Sequence, residues 1–169
     1  MAGKNQHDIW LGLGSNLGNR EQNLMAAING LKAGGCHLVR ASAIYETEAW
    51  GYDSENLFCN QCIQMITRLD PVSLLTLISN IEQRMGRTSS SGGYTDRIID
   101  IDILFYEDLV LRTPNLEIPH PRMENRLFVL APLAEIAPGK VHPVSGQTVA
   151  GLKDALHGSG DTKEPGHMK

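Results

Sequence analysis

The run "RIIDIDILFY", Arg97 to Tyr106, sets two carboxylates inside an apolar strand, and no other feature of the chain restricts its fold as strongly. Side chains two apart along a strand share a face, so Asp100 and Asp102 point one way while Ile99, Ile101, Ile103 and Phe105 point the other. One face is then core and the other holds a pair of acids. Two ionised carboxylates about 7 Å apart, one strand repeat, repel by about 2 kcal/mol at an effective dielectric of about 20. Taking either out of water costs more still. The pair therefore needs a cation, a water-filled cleft or both, and Arg97 at the head of the strand or a bound metal ion would serve. The plainer alternative is an edge strand with one solvated face, where acids alternate with isoleucines for no functional reason.

Composition narrows the partners. With 169 residues, 41% hydrophobic and 20% charged, the chain is expected to form a single domain over 1–157 and a disordered polar tail, "GSGDTKEPGHMK", over 158–169. A net charge of -4 argues against nucleic acid or an anionic membrane as partner. No apolar run approaches the roughly 18 residues of a membrane span, and the start "MAGKNQHD" lacks an apolar signal core, so a cytoplasmic protein is expected. The odd set Cys36, Cys59 and Cys62 suits a reducing compartment. Small-molecule substrates and a monomeric state are the corresponding expectations. Between Lys32 and Lys140 every basic residue is arginine: Arg40, Arg68, Arg84, Arg87, Arg97, Arg112, Arg122 and Arg126. The guanidinium fork matches phosphate oxygens in pairs, which hints at phosphate recognition, although codon bias produces the same pattern.

The order of elements follows from periodicity. "DIWLGLG" is a short apolar strand ending at glycine. A helix follows from Asn19, with Gln22 at the capping-box position, Leu24, Ala27, Ile28 and Leu31 at helical spacing, and Gly34-Gly35 as the stop. His37–Glu46 and Leu57–Leu69 are rich in strand formers and are divided by the loop "TEAWGYDSEN". Asp70-Pro71 starts a second helix carrying Leu74, Ile78, Ile81 and Met85 on one face. After the loop "GRTSSSGGYTD" comes the aspartate strand, so the order is β-α-β-β-α-β, that of a ferredoxin-like antiparallel sheet with helices on one face and the other face free for a ligand. The C-terminal extension adds Val110-Leu111, the segment "IPHPRMENR", a helix from Phe128 to Ile136 and another from Val149 to His157.

Three motifs mislead. "GLGSNLG" has Leu17 where a dinucleotide fingerprint needs its last glycine, and no parallel unit follows. Cys59-x-x-Cys62 has metal or redox spacing, but residues three apart in a strand lie on opposite faces, so the thiols cannot converge, and one of them is expected in the core. The same parity puts Phe58 and Asn60 together, an aromatic plane beside an amide, suited to a flat heterocycle or simply to core packing. His120, between Pro119 and Pro121, is either a positioned functional side chain or a turn cap.

Taken in order, "GLGSNLGNR", "YETEAWG", "FCN", "IEQRMGR", "RIIDIDIL", "IPHPRMENRLFVLAPL" and "EIAP" make the chain resemble the 6-hydroxymethyl-7,8-dihydropterin pyrophosphokinases, folate-biosynthesis enzymes that move pyrophosphate from ATP to a pterin alcohol and release AMP. The resemblance runs from Ile9 to Val149 and implies an α+β fold, an α/β/α sandwich around the ferredoxin-like core. It implies that Asp100 and Asp102 bind two magnesium ions and act in catalysis with Arg87 and Arg97. It assigns ATP to Glu82, Arg87, Arg97, Ile103, His120 and Arg126, with Ile103 against the base and His120 near the α-phosphate. The pterin falls to Thr47, Glu48 and Trp50, to the amide of Asn60, and to Phe58 and Phe128, which would sandwich the ring. Loops 47–57 and 87–96 would close over the substrates and exclude water.

The chain departs from the family pattern in three places. Tyr94-Thr95-Asp96 stands where W-G-P precedes the arginine, Ser89 stands where a second basic residue is common, and Glu55-Asn56-Leu57 replaces a usual Gln-Pro before the aromatic. A looser ATP grip with chemistry retained is the expectation. A noncatalytic ligand-binding module would have no need of paired acids opposite arginines. A metal-dependent phosphoesterase would use the acids but leave Phe58 and Asn60 without a purpose.

Overall fold

A computed structural model describes residues 5–47, 57–86 and 98–158. Strand β1 (His7–Ser15) leads through Asn19 into helix α1 (Arg20–Ala33), and the Asn19 side chain accepts the Gln22 N–H at 3.1 Å as the expected cap. Strands β2 (Cys36–Ala41), β3 (Tyr45–Thr47) and β4 (Phe58–Thr67) follow. Helix α2 (Pro71–Arg84) starts where Asp70 accepts the Ser73 N–H at 2.7 Å and Pro71 fills the first helical position. Strand β5 (Asp100–Tyr106) completes the sheet, whose order is β2-β4-β1-β5 with β3 also paired to β4, all antiparallel. This is a ferredoxin-like α+β core.

One face of the sheet packs on α1 and α2. Ile9, Leu11 and Leu13 of β1, Ile63 and Met65 of β4, and Ile101 and Ile103 of β5 meet Leu24, Ala27 and Leu31 of α1 and Leu74, Ile78 and Ile81 of α2. The opposite face is covered only over part of its length. There α3 (Leu127–Ile136) and α4 (Val149–Gly158) bury Trp10, Cys62, Leu104 and Phe105 with Met123, Leu130, Leu133 and Leu152. The result is a three-layer α/β/α sandwich with one end of its second face left open. Among the described residues, no helix is long and apolar enough to cross a membrane.

Several expectations change. The segment expected as one strand from His37 to Glu46 is two, β2 and β3, parted by Ser42, Ala43 and Ile44. The second face is not wholly free, since α3 and α4 take part of it. Val110-Leu111 becomes β6 (Leu111–Arg112), which pairs with an unanticipated β7 (Glu117–Ile118). Phe105 does not share the isoleucine face: the β1–β5 register slips between Trp10 and Leu11, Leu104 is the extra residue, and Phe105 joins the core on the acid side, edge-on to Trp10 at 6.1 Å. Both Cys59 and Cys62 are core, one in each layer, and burial pushes the Cys62 thiol well above its ordinary value, which leaves it inert.

Candidate active site

The open end of the second face is built from three strands. Asp100 lies opposite Gly14 of β1, which lies opposite Asn60 of β4; Asp102 lies opposite Gly12, which lies opposite Cys62. Acids and amide thus stand about 10 Å apart, two strand spacings, with a side-chain-free strand between them. The two glycines differ in how much room they leave. A Cβ at Gly14 would come within 3.2 Å of Asn60 Oδ1 and 3.6 Å of a Phe58 ring carbon, crowding the amide, whereas one at Gly12 would meet Leu104 at 3.6 Å, an ordinary contact.

Asn60 is 7% exposed, and its Nδ2 donates to Thr47 Oγ1 at 2.7 Å, so the amide is aimed from the ladder in which Thr47 pairs with Phe58. Phe128, in the first turn of α3, is partly buried against the core of this same face, and the Arg126 guanidinium lies 5.6 Å from its ring centre. Arg126 itself is 8% exposed.

At the acid end, the Asp102 side chain is 33% exposed and Asp100 is also partly open. His120 Nε2 stands 3.9 Å from Asp102 Oδ2, beyond hydrogen-bond range. Its Nδ1 accepts the Arg122 N–H at 3.2 Å, so the neutral ring carries its proton on Nε2. Burial, then Arg126 and Arg122, hold this imidazole down to about 4, against an opposing pull from Asp100. At neutral pH His120 is an uncharged donor aimed at the acid row.

Glu82 and Ile103 are placed differently. Ile103 is 5% exposed within the α1/α2 core, across the sheet from the aspartates. Glu82, on α2, accepts the Ile101 N–H at 3.0 Å and so caps the outer side of the aspartate strand. The structure brings Thr47, Phe58, Asn60, Asp100, Asp102 and His120 to the open face; Glu48, Trp50, Arg87 and Arg97, like Ser89, Tyr94 and Asp96, lie outside the described residues.

Whether the acids suit magnesium is decided by the donor set. Among the described residues no group of three His, Cys, Asp or Glu side chains converges as a metal site. A pair of half-open carboxylates fits an ion that draws its other oxygens from water and phosphate, as magnesium does, and does not fit a closed protein cage.

One residue escaped the sequence reading. Arg20 donates to the Leu57 carbonyl at 2.8 Å and pairs with Glu46 at 3.0 Å, pinning β3 and β4 together where they carry Thr47 and Phe58. Its signal was available: a cation in the first turn of a helix opposes the helix dipole and needs another reason to be there.

A known protein family, described as 7,8-dihydro-6-hydroxymethylpterin-pyrophosphokinase (HPPK), matches residues 10–138. The chain belongs to the HPPK family. A 2-amino-4-hydroxy-6-hydroxymethyldihydropteridine pyrophosphokinase from Porphyromonas gingivalis is 42% identical over 138 residues, 80% of this chain and 93% of that one. The enzyme of the same name from Aquifex aeolicus is 40% identical over 136 residues, 80% of this chain and 84% of that one. Among solved structures, a Plasmodium falciparum HPPK-DHPS with pteroate superposes with a TM-score of 0.70 at 18% identity, over 92% of this chain and 43% of that longer one. That likeness bears on the HPPK fold alone, and this chain spans less than half the length of that protein.

Proposed function

We propose that the protein transfers a pyrophosphoryl group from ATP to the hydroxymethyl group of 6-hydroxymethyl-7,8-dihydropterin, with magnesium seated at Asp100 and Asp102. The observation that carries this reading is the pairing of two half-open aspartates with an aimed amide and a phenyl ring, across glycines that leave the strand between them bare. The pterin alcohol oxygen attacks the β-phosphorus, the bond from that phosphorus to the α–β bridging oxygen breaks, AMP leaves and the hydroxyl proton passes to solvent. Two magnesium ions, when bound, would supply positive charge to the phosphate oxygens over which the transition state spreads its negative charge. The chain's part is mostly alignment.

Asn60 hydrogen-bonds the ring edge, with Phe58 and Phe128 on its faces and Thr47, Glu48 and Trp50 around the rim. His120 donates Nε2–H to the α-phosphate as charge grows there, and being neutral it does so without competing with the metal for the carboxylates. Arg87, Arg97 and Arg126 clamp phosphates. Glu82 and the edge of β5 at Ile103 serve the base end of ATP, the Ile103 side chain itself lying in the α1/α2 core. Action as a monomer over residues 1–157, in the cytoplasm, is part of the same reading. The test is magnesium-ATP with and without the pterin alcohol, followed by nucleotide analysis. AMP formed only when the pterin is present is expected; ADP, or hydrolysis indifferent to pterin, overturns the reading.

A further inference from the structure

Glu135, in the last turn of α3, carries two hydrogen bonds to the sheet. Its Oε1 accepts the Tyr45 hydroxyl at 2.7 Å and its Oε2 accepts the Ala43 N–H at 2.8 Å. Tyr45 opens β3 directly opposite Asn60, and Thr47, two residues on, lies opposite Phe58 and receives the Asn60 amide. At the other end of the helix, two turns away and on the same side, is Phe128. Pro132 brings no N–H to the Phe128 carbonyl, so the first turn of α3 is set less by its own ladder than an ordinary helix would be.

We propose that Glu135 is a positioning residue that fixes the gap between the sheet wall, Phe58 and Asn60, and the helix wall, Phe128, of the ring slot. This rests on the pterin reading of that slot. A flat ring between two aromatic faces needs them about 7 Å apart, twice the contact distance, and a gap wider by less than 1 Å on a side forfeits about a quarter to a half of the attraction. The slot is therefore sensitive to a contact that does little for the fold. Glu135 is exposed, and hydrated hydrogen bonds of this kind add little to global stability.

The substitutions Glu135→Ala and Glu135→Gln separate the two roles. Glutamine keeps both partners, because its carbonyl accepts from Ala43 N–H while its amide donates to the Tyr45 oxygen; alanine loses both. Titration calorimetry of the full chain with the pterin alcohol, in magnesium and an unreactive ATP analogue, is expected to show about ten-fold weaker binding for Glu135→Ala and recovery to within about two-fold for Glu135→Gln. Affinity for the ATP analogue alone is expected to stay within about two-fold in both. Equal losses for both ligands, no loss in Glu135→Ala, or no recovery in Glu135→Gln overturns the proposal. Should the alanine variant not fold, Tyr45→Phe, which removes one bond, is expected to weaken pterin binding about three-fold, and wild-type affinity there overturns it as well. A wild-type protein that binds no pterin alcohol sinks the functional reading and this inference with it; a binding wild type with an indifferent Glu135→Ala sinks only the inference.

Discussion

Two His-Pro turns, at His120 and His142, are wired alike on one side of the imidazole and differently on the other. In each, Nδ1 accepts a backbone N–H from the residue two places on, Arg122 at 3.2 Å and Val144 at 3.2 Å, and burial depresses proton affinity. The His142 Nδ1 takes a second N–H, from Ser145 at 3.1 Å, and its Nε2 meets Glu124 at 3.1 Å in a side chain only 5% exposed. The His120 Nε2 faces Asp102 across 3.9 Å with 18% of the side chain open. The same local turn thus serves as a bolt in one place and as an aimed donor in the other. The difference lies in what stands opposite the second nitrogen: Asp102 of strand β5 in one case and Glu124, in the short turn Met123–Asn125, in the other.

The sharpest way to break this comparison is to remove the acid row. Asp102→Asn is expected to lower turnover about 1,000-fold with the melting temperature nearly unchanged, because on the proposed mechanism the carboxylate acts through a cation; comparable rates in a steady-state assay would make both turns structural. Next comes the bolt. His142→Ala leaves two N–H groups and Glu124 without their partner and is expected to cost about 3 kcal/mol in urea unfolding while the folded fraction keeps its rate to within about two-fold.

Acid should act on both turns at once. Each imidazole binds protons less readily when folded than its ordinary 6.5, so below that pH the unfolded chain takes up more protons than the native one. Stability is therefore complete above about pH 6.5 and falls as pH drops toward 4, by on the order of 2 kcal/mol for the His120 contribution in the ligand-free protein. Denaturant titrations between those limits check it, and His120→Ala should flatten the slope. That same substitution is expected to lower turnover about ten-fold, far less than Asp102→Asn, since a single neutral donor is lost.

Much of this was legible in the sequence, for local reasons. Asn19 and Asp70 announce their helices because a cap is a contact within four residues, and strand parity alone puts Phe58 with Asn60 and the two acids on one face. What stayed hidden depends on segments far apart. The break between β2 and β3 falls at Ser42-Ala43-Ile44, without glycine or proline to mark it, and is held by Glu135 some ninety residues away. The β5 slip was invisible because "ILFY" is apolar throughout, so alternation has no contrast to lose. Ile103 sits across the sheet from the acids, a placement the alternation foretold, though it does not by itself say what the residue touches.

The insertion of Leu104 makes β5 two strands joined out of phase. Upstream of it, alternate residues are divided between the open face and α1/α2; downstream, Phe105 swings under Trp10 and serves only the second hydrophobic layer. Changes in the leading half are consequently insulated from the trailing half, and natural drift in the packing of Phe105 can proceed without turning the aspartates. Deleting Leu104 would let the ladder run without a slip, with Phe105 still opposite Trp10 and Asp102 still opposite Gly12, and would remove only that leucine's packing from the second layer.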